Sequence, residues 1–251
     1  MEENNKSLDI LGIKPISEAI SHVTKSTVDG AAAFLGRVCL PAAEEFGLML
    51  QDKVKAWRSN NAVAILAAAE RKLSQKDCGE AVAVHPRMVF TAMENGSWTD
   101  CALLHEMWGG VLASSASADG KDDSNLIYTT ILSQLTSSQA KIIAYACEVV
   151  GKRITPPGLI FPEGNVFVKP DELLRLSGSS DVHVLDVELD RLRSLDLIAS
   201  GFSYGQEQAD ITPTALALNM YVRCQGYRGS AIEYFGVPSS EKDENSDIIE
   251  H

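Results

Sequence analysis

Ala62, Ile65, Leu66, Ala69 and Leu73 recur at intervals of three and four residues. That spacing lines one side of an α-helix and no face of a strand, whose side chains alternate with a period of two. The same period returns in Trp98, Cys101, Leu104, His105, Trp108, Val111 and Leu112, then in Leu126, Ile127, Thr130, Ile131 and Leu135, and again in Val182, Leu185, Leu189 and Leu192. Four amphipathic stretches of this kind, with few strand-favouring runs between them, restrict the chain to a mainly α fold.

The residues between the stretches punctuate them. From about residue 15 to 73 the chain is rich in Ala with Gly30, Gly36 and Gly47 interspersed, which predicts close-packed helices, one of them started or kinked at Pro41. In VHPRMVFTAMENG, Pro86 suits the first helical position and Gly96 lies just past the predicted end. SSASADGKDD is a polar loop, after which Asp123 or Ser124 can cap the next helix. Thr136 and Gln139 have the spacing of a capping box, in which each side chain satisfies the other residue's free backbone N–H.

At Thr136 the pattern changes. A helix through Ile142, Ala146 and Val149 leads into the connection TPPGLIFPEGN and the strand-like VFV. Pro170 opens a short helix that Gly178 ends, and Asp181 caps another. Ile198 to Tyr204 and Gln208 to Thr212 read as strands joined around Gly205, before ALALNMYVRCQG returns to helix. The order matches a winged helix-turn-helix with a small β-hairpin. The expected organisation is therefore an N-terminal α-helical domain over 1–135, a winged-helix-like domain over 136–237 and an acidic tail over 238–251 of disordered composition.

A formal net charge of -12 argues against nucleic acid as the partner, since phosphate contacts call for clustered Lys and Arg. The predicted third helix of the second domain makes the point locally. It carries Asp181, Asp186, Glu188 and Asp190 ahead of Arg191 and Arg193, so the end that would meet phosphate is negative. The five cysteines are scattered, without Cys-x-x-Cys spacing, which fits reduced thiols in a cytoplasmic protein. MEENNKSLDI lacks the basic start and apolar core of a signal peptide. The apolar stretch 28–51 is broken by Asp29, Arg37, Glu44 and Glu45, too often for a membrane span, although peripheral membrane contact stays open to it. Helices lined with small residues suit a homo-oligomer and an intramolecular bundle equally.

Candidate chemistry centres on HEMWGGVLASSASADGKDDSNLIY, residues 105–128. His105-Glu106 begins the pattern of a zinc peptidase, but the second histidine position is Gly109. Cys101 lies one turn before His105, and a lone Cys-His pair on an apolar stripe reads as core. Asp122 and Asp123 could hold a divalent cation or act as an acid-base pair, against the plainer reading of acids at a helix start. His85, before Pro86, can anchor a turn or move a proton. There is no glycine-rich phosphate cradle and no Gly-x-Ser-x-Gly, so neither catalytic nor metal-binding residues nor a cofactor are assigned, and Asp122, Asp123 and His85 stand as candidate interaction residues.

GIKPISEAI, DGAAAFLGRVCLPAAEEFGLMLQDKVKAWR, VHPRMV, HEMWGGVLASS and DDSNLIYTTILSQLTSSQAKII occur in this order over roughly residues 12–145. With them the sequence resembles the abortive-infection alpha family, a bacterial group named for a role in phage defence. The resemblance implies a non-enzymatic defence protein acting through contacts with a protein partner or phage component, as sensor, adaptor or effector. It carries no catalytic residues to transfer. Two alternatives remain at this level, a winged-helix nucleic-acid-binding regulator and a membrane-perturbing effector using the Ala/Gly-rich N-terminal helices.

Overall fold

The computed structural model describes residues 55–74 and 82–236. The expectations for Pro41, the 28–51 stretch, Cys39, Cys78 and the acidic tail fall outside them. Among the described residues the chain is mainly helical with small antiparallel sheets.

Helix α1 (Lys55–Ser74) is followed by β1 (Ala83–Val84), α2 (Pro86–Gly96), α3 (Ala102–Ser114) and β2 (Ala116–Ser117), with β1 and β2 paired antiparallel. The stripe that predicted α1 is its buried face: Ala62, Ile65, Leu66, Ala69 and Leu73 are all in the core. Helix α3 lies at the centre, and Leu104 through Ser114 is buried at every position but Glu106.

Two adjacent glycines explain how α3 can be covered on opposite sides. A Cβ on Gly109 would stand 2.6 Å from Ala68 Cβ and 2.8 Å from both the Ala69 nitrogen and the Ile65 oxygen, so α1 crosses α3 backbone to backbone. A Cβ on Gly110 would stand 1.7 Å from the carbonyl oxygen of Cys224. That carbonyl belongs to α8 (Ala215–Cys224), which packs on the other side of α3. A histidine at position 109, which would complete the zinc-peptidase pattern, is therefore sterically excluded.

The chain between β2 and α8 supplies the remaining elements. These are α4 (Leu126–Leu132), α5 (Ser137–Val149), a hairpin of β3 (Gly151–Ile154) and β4 (Ile160–Glu163), β5 (Phe167–Val168), α6 (Pro170–Ser177), α7 (Val182–Ser194) and β6 (Ala209–Asp210). Helix α9 (Ala231–Phe235) follows α8. The Thr136 capping box forms as expected, the Gln139 N–H donating to Thr136 Oγ1 at 3.2 Å and the Thr136 N–H to Gln139 Oε1 at 3.0 Å. Such a cap is worth about 1 kcal/mol. Asp181 caps α7 by accepting from the His183 N–H at 2.8 Å, and Gly178 ends α6 in the left-handed conformation. The 135/136 boundary falls between α4 and α5, and one continuous cluster of buried side chains, from Ala62 to Ala231, crosses it.

Several sequence expectations need correction. TPPGLIFPEGN is not a plain connection: Ile160–Glu163 within it forms β4 and pairs back onto β3, which lies just before it, the chain turning at Gly158 with Thr155 bonded to Leu159 in both directions. The strands placed at 198–204 and 208–212 are shorter than predicted. Ala209–Asp210 pairs antiparallel with Phe167–Val168, Ile198 meets Pro213 in a single bridge, and the Ala199 and Asp210 N–H groups donate to Thr212 O and Gly201 O. Gly201 at φ +134° and Pro213, which has no N–H, interrupt regular pairing. Trp98 lies ahead of α3, because the Cys101 N–H bonds to Thr99 Oγ1 in a local turn and the helix starts only at Ala102. It sits instead under the Arg58 guanidinium, 4.1 Å from the ring centre. On α4, Ile127 and Thr130 face solvent while Thr129, Ile131 and Leu132 are buried, so the predicted face is rotated. Gly96 is the last residue of α2, with Ile65 and Trp108 against it, rather than a residue beyond the helix.

Candidate functional site

The histidine-glutamate pair that opens α3 is occupied by structural partners. His105 is buried, with Nε2 2.8 Å from the Thr99 carbonyl oxygen. Glu106, the one exposed-side acid of α3, ion-pairs with Arg71 and with Lys72 at 3.6 Å, fastening α3 to the end of α1. Burial pushes the Cys224 thiol up to about 12 and raises that of Cys147 as well, so both stay protonated at neutral pH and are poor nucleophiles. Among the described residues, no group of three or more His, Cys, Asp or Glu side chains is placed to hold a metal ion.

His85 caps α2, its Nδ1 accepting from the Arg87 N–H at 3.1 Å, and Arg87 reaches Asp123 at 3.7 Å. The structure thus brings His85 and Asp123 to either side of one arginine, beside the β1–β2 ladder. Asp122 is engaged separately. Its Oδ1 accepts from the Ser124 N–H at 2.9 Å, and its carboxyl is held below its ordinary value first by that bond and the Ser124 hydroxyl, which outweigh the opposing effect of burial, and last by the Arg223 charge. Neither aspartate caps α4 with its side chain. The N-cap is Asn125, which the sequence reading passed over, and its buried amide donates instead to the Ser114 and Ser115 hydroxyls at 3.0 Å each. Asn125 thereby ties the loop to the end of α3.

Helix α7 exposes two apolar side chains side by side. Leu185, Leu189 and Leu192 fill the core, while Val184 and Val187 are 52% and 68% exposed and Val182 is 39% exposed. The sequence reading assigned Val182 to the buried face. Val184 and Val187, one turn apart and off the leucine stripe, were the overlooked signal of a second apolar face. With His183 and Glu188 they line a shallow hollow of about 360 Å³. Asp186 and Asp190 are exposed on the same helix, Asp190 pairs with Arg193 at 2.7 Å, and Glu188 accepts the Thr136 hydroxyl at 3.0 Å.

A mainly helical protein with small antiparallel sheets, its central helix clamped between two others by a Gly-Gly pair, is the class that this architecture defines. Residues 61–219, more than half of the 251-residue chain, match the family model described as abortive infection alpha, and the chain belongs to that family. The match begins after both GIKPISEAI and DGAAAFLGRVCLPAAEEFGLMLQDKVKAWR and takes in α1 from its seventh residue, the HEMWGG helix, the Asp122-Asp123 loop and most of the second half. It therefore reaches further toward the C-terminus than the motifs that first indicated the family. Comparisons with curated proteins and with solved structures gave no match. No described helix is long and apolar enough to cross a membrane.

Proposed function

We propose that this chain acts in abortive-infection defence against phage, without chemistry of its own, by docking a protein through the exposed face of α7. One observation carries the reading: exposed Val184 and Val187 on a helix that also exposes Asp186 and Asp190. Exposed valines side by side favour a partner that covers them, and the acids of the same helix favour one that brings Lys or Arg beside its apolar residues. Family membership supplies the defence context.

The order α5, β5, α6, α7, followed by the paired segments around residues 197–201 and 209–214, is similar to that of a winged helix-turn-helix, with the β3–β4 hairpin as an addition between α5 and β5. In that comparison α7 stands where such folds place the helix that reads DNA. Its acids make a protein the better occupant, because phosphate would meet like charge.

The test is a phage challenge of cells carrying the wild-type chain, a V184D/V187D variant or no copy, at matched protein levels. Protection by wild type and its loss in the variant are expected, with an unchanged circular-dichroism spectrum. Full protection by the variant would remove α7 from the mechanism, and no protection by wild type across a broad phage panel would remove the defence role. Duplex DNA titrated at two salt concentrations separates the runner-up, since tight binding that weakens with salt would overturn the protein-docking reading. Liposome flotation addresses the membrane reading in the same way, through co-flotation of the intact chain.

A further inference from the structure

Helix α8 ends in a cleft that no sequence motif announced. The β3–β4 turn forms one wall and the start of α9 the other, enclosing about 290 Å³ lined in part by Leu159, Asn219, Val222, Arg223, Ser230 and Ile232. In a chain of net charge -12, the only charged side chain among the described residues lining this cleft is a cation, Arg223.

That guanidinium is fixed. Its Nη1 donates to the Tyr227 carbonyl at 2.9 Å and the Arg228 carbonyl at 2.6 Å, which uses both hydrogens of that nitrogen. The Nη2–Nε edge, the fork that matches a carboxylate or phosphate bidentately, has no hydrogen-bonded acceptor among the described residues, and no described carboxylate forms an ion pair with Arg223. Asp122 feels its charge without pairing, and Glu233 on α9 is occupied by the Ser230 N–H at 3.1 Å and the Tyr227 hydroxyl at 3.3 Å.

The walls are held as firmly as the cation. Tyr221 on α8 stacks on Phe235 with ring centres 6.2 Å apart, and Tyr234 meets both Tyr227 and Phe235 edge-on at 5.5 and 5.0 Å, locking α9 against α8. Tyr221 also donates to Glu148 at 3.1 Å, joining this cluster to α5. The Asn219 amide donates to the Ala215 carbonyl at 2.8 Å, which orients its side chain along the helix. The lining thus combines polar Arg223, Asn219 and Ser230 with apolar Leu159, Val222 and Ile232. Pockets for small ligands have this make-up of apolar lining and a few fixed polar groups.

We infer that the cleft between the β3–β4 turn, α8 and α9 binds a small oxyanion with a compact apolar body, gripped bidentately by Arg223. This site is separate from the α7 face, so the protein would carry one surface for a macromolecule and one pocket for a small molecule.

Isothermal titration of the full chain with phenyl phosphate, benzoate and the neutral benzamide tests the assignment. One-site saturable binding of phenyl phosphate or benzoate is expected, with benzamide at least about tenfold weaker, as the loss of a charge-assisted hydrogen bond implies. Arg223→Gln should weaken the anion by a similar factor. Because Arg223 also holds the 227–228 turn, a second pair of variants leaves that turn untouched. Leu159→Asp, at an exposed position on the cleft wall, should weaken anion binding and Leu159→Lys should tighten it. Absence of saturable binding at millimolar anion, benzamide binding as tightly as benzoate, or affinities unchanged in Arg223→Gln and both Leu159 variants would overturn the site.

Discussion

Helices α3 and α7 each run for 13 residues, yet they stand in opposite environments. Helix α3 carries the most distinctive motif of the chain and is buried on almost all sides, whereas α7 buries three leucines and leaves its valines, its histidine and its acids outside. A distinctive sequence is thus no guide by itself to where a partner binds. HEMWGG is distinctive because a helix crossed on two faces tolerates few side chains. The surface available for contact lies in a segment whose composition looks ordinary.

The sharpest way to break this contrast is Gly110→Ala. In an exposed helix the change would stabilise by about 1 kcal/mol, because Ala is the better helix former. Here the new Cβ would fall 1.7 Å from the Cys224 carbonyl oxygen, and that neighbour is backbone of α8 that cannot swing aside. Overpacking typically costs about 1–3 kcal/mol, and a backbone contact this close belongs at or above the top of that range. Urea denaturation should show a large drop in midpoint. A wild-type midpoint would mean that α8 does not press on α3.

A paired comparison on α7 follows in size. Leu189→Ala empties a fully buried position and should cost about 2–5 kcal/mol, depending on how far the site collapses. Val187→Ala, two residues away and 68% exposed, should stay within about 0.5 kcal/mol by the same denaturation assay. Similar losses in both variants would show that the valine face is already covered, either within the chain or by a second copy, and would withdraw it as a docking surface.

What the sequence made legible follows from the range of the forces involved. Helix existence and the Thr136, Asp181 and Gly178 terminal signals are local, set by residues within one turn, and they were readable. The hairpin that TPPGLIFPEGN completes was not. Its pairing joins Gly151 to Glu163 across the chain, and its two prolines before Gly158 read as a breaker rather than as a turn between strands. Facing was legible only where another element is close enough to demand it. Ala62 and Ile65 had to face α3, but nothing local to α4 tells Ile127 that it will meet solvent. Arg223 escaped notice for the same reason. Its neighbours in the cleft come from residues 158–160 and 229–232, so only the folded chain assembles them.

Asp122→Asn tests the smallest difference, between an acid that organises its own loop and one that serves a partner. The Ser124 N–H and hydroxyl, and then Arg223, favour the ionised carboxylate and depress its titration in the folded protein below the ordinary value of 3.8. A depressed carboxylate contributes stability that is fully present above its unfolded value and is lost as pH falls through its folded value. At pH 7 the variant should therefore be slightly the less stable of the two, by an amount small enough that solvent screening at this exposed site sets its size. As pH drops below about 3.8 the wild-type carboxylate protonates, the charge-dependent part of the difference disappears and the two melting curves should converge. A gap that persists unchanged to low pH would show that the Asp122 charge contributes nothing and that only the shape of the turn matters. Lost phage protection at pH 7 with this small stability change would instead place the Asp122 carboxylate in contact with a partner, and give the acidic loop the role that the α7 face holds here.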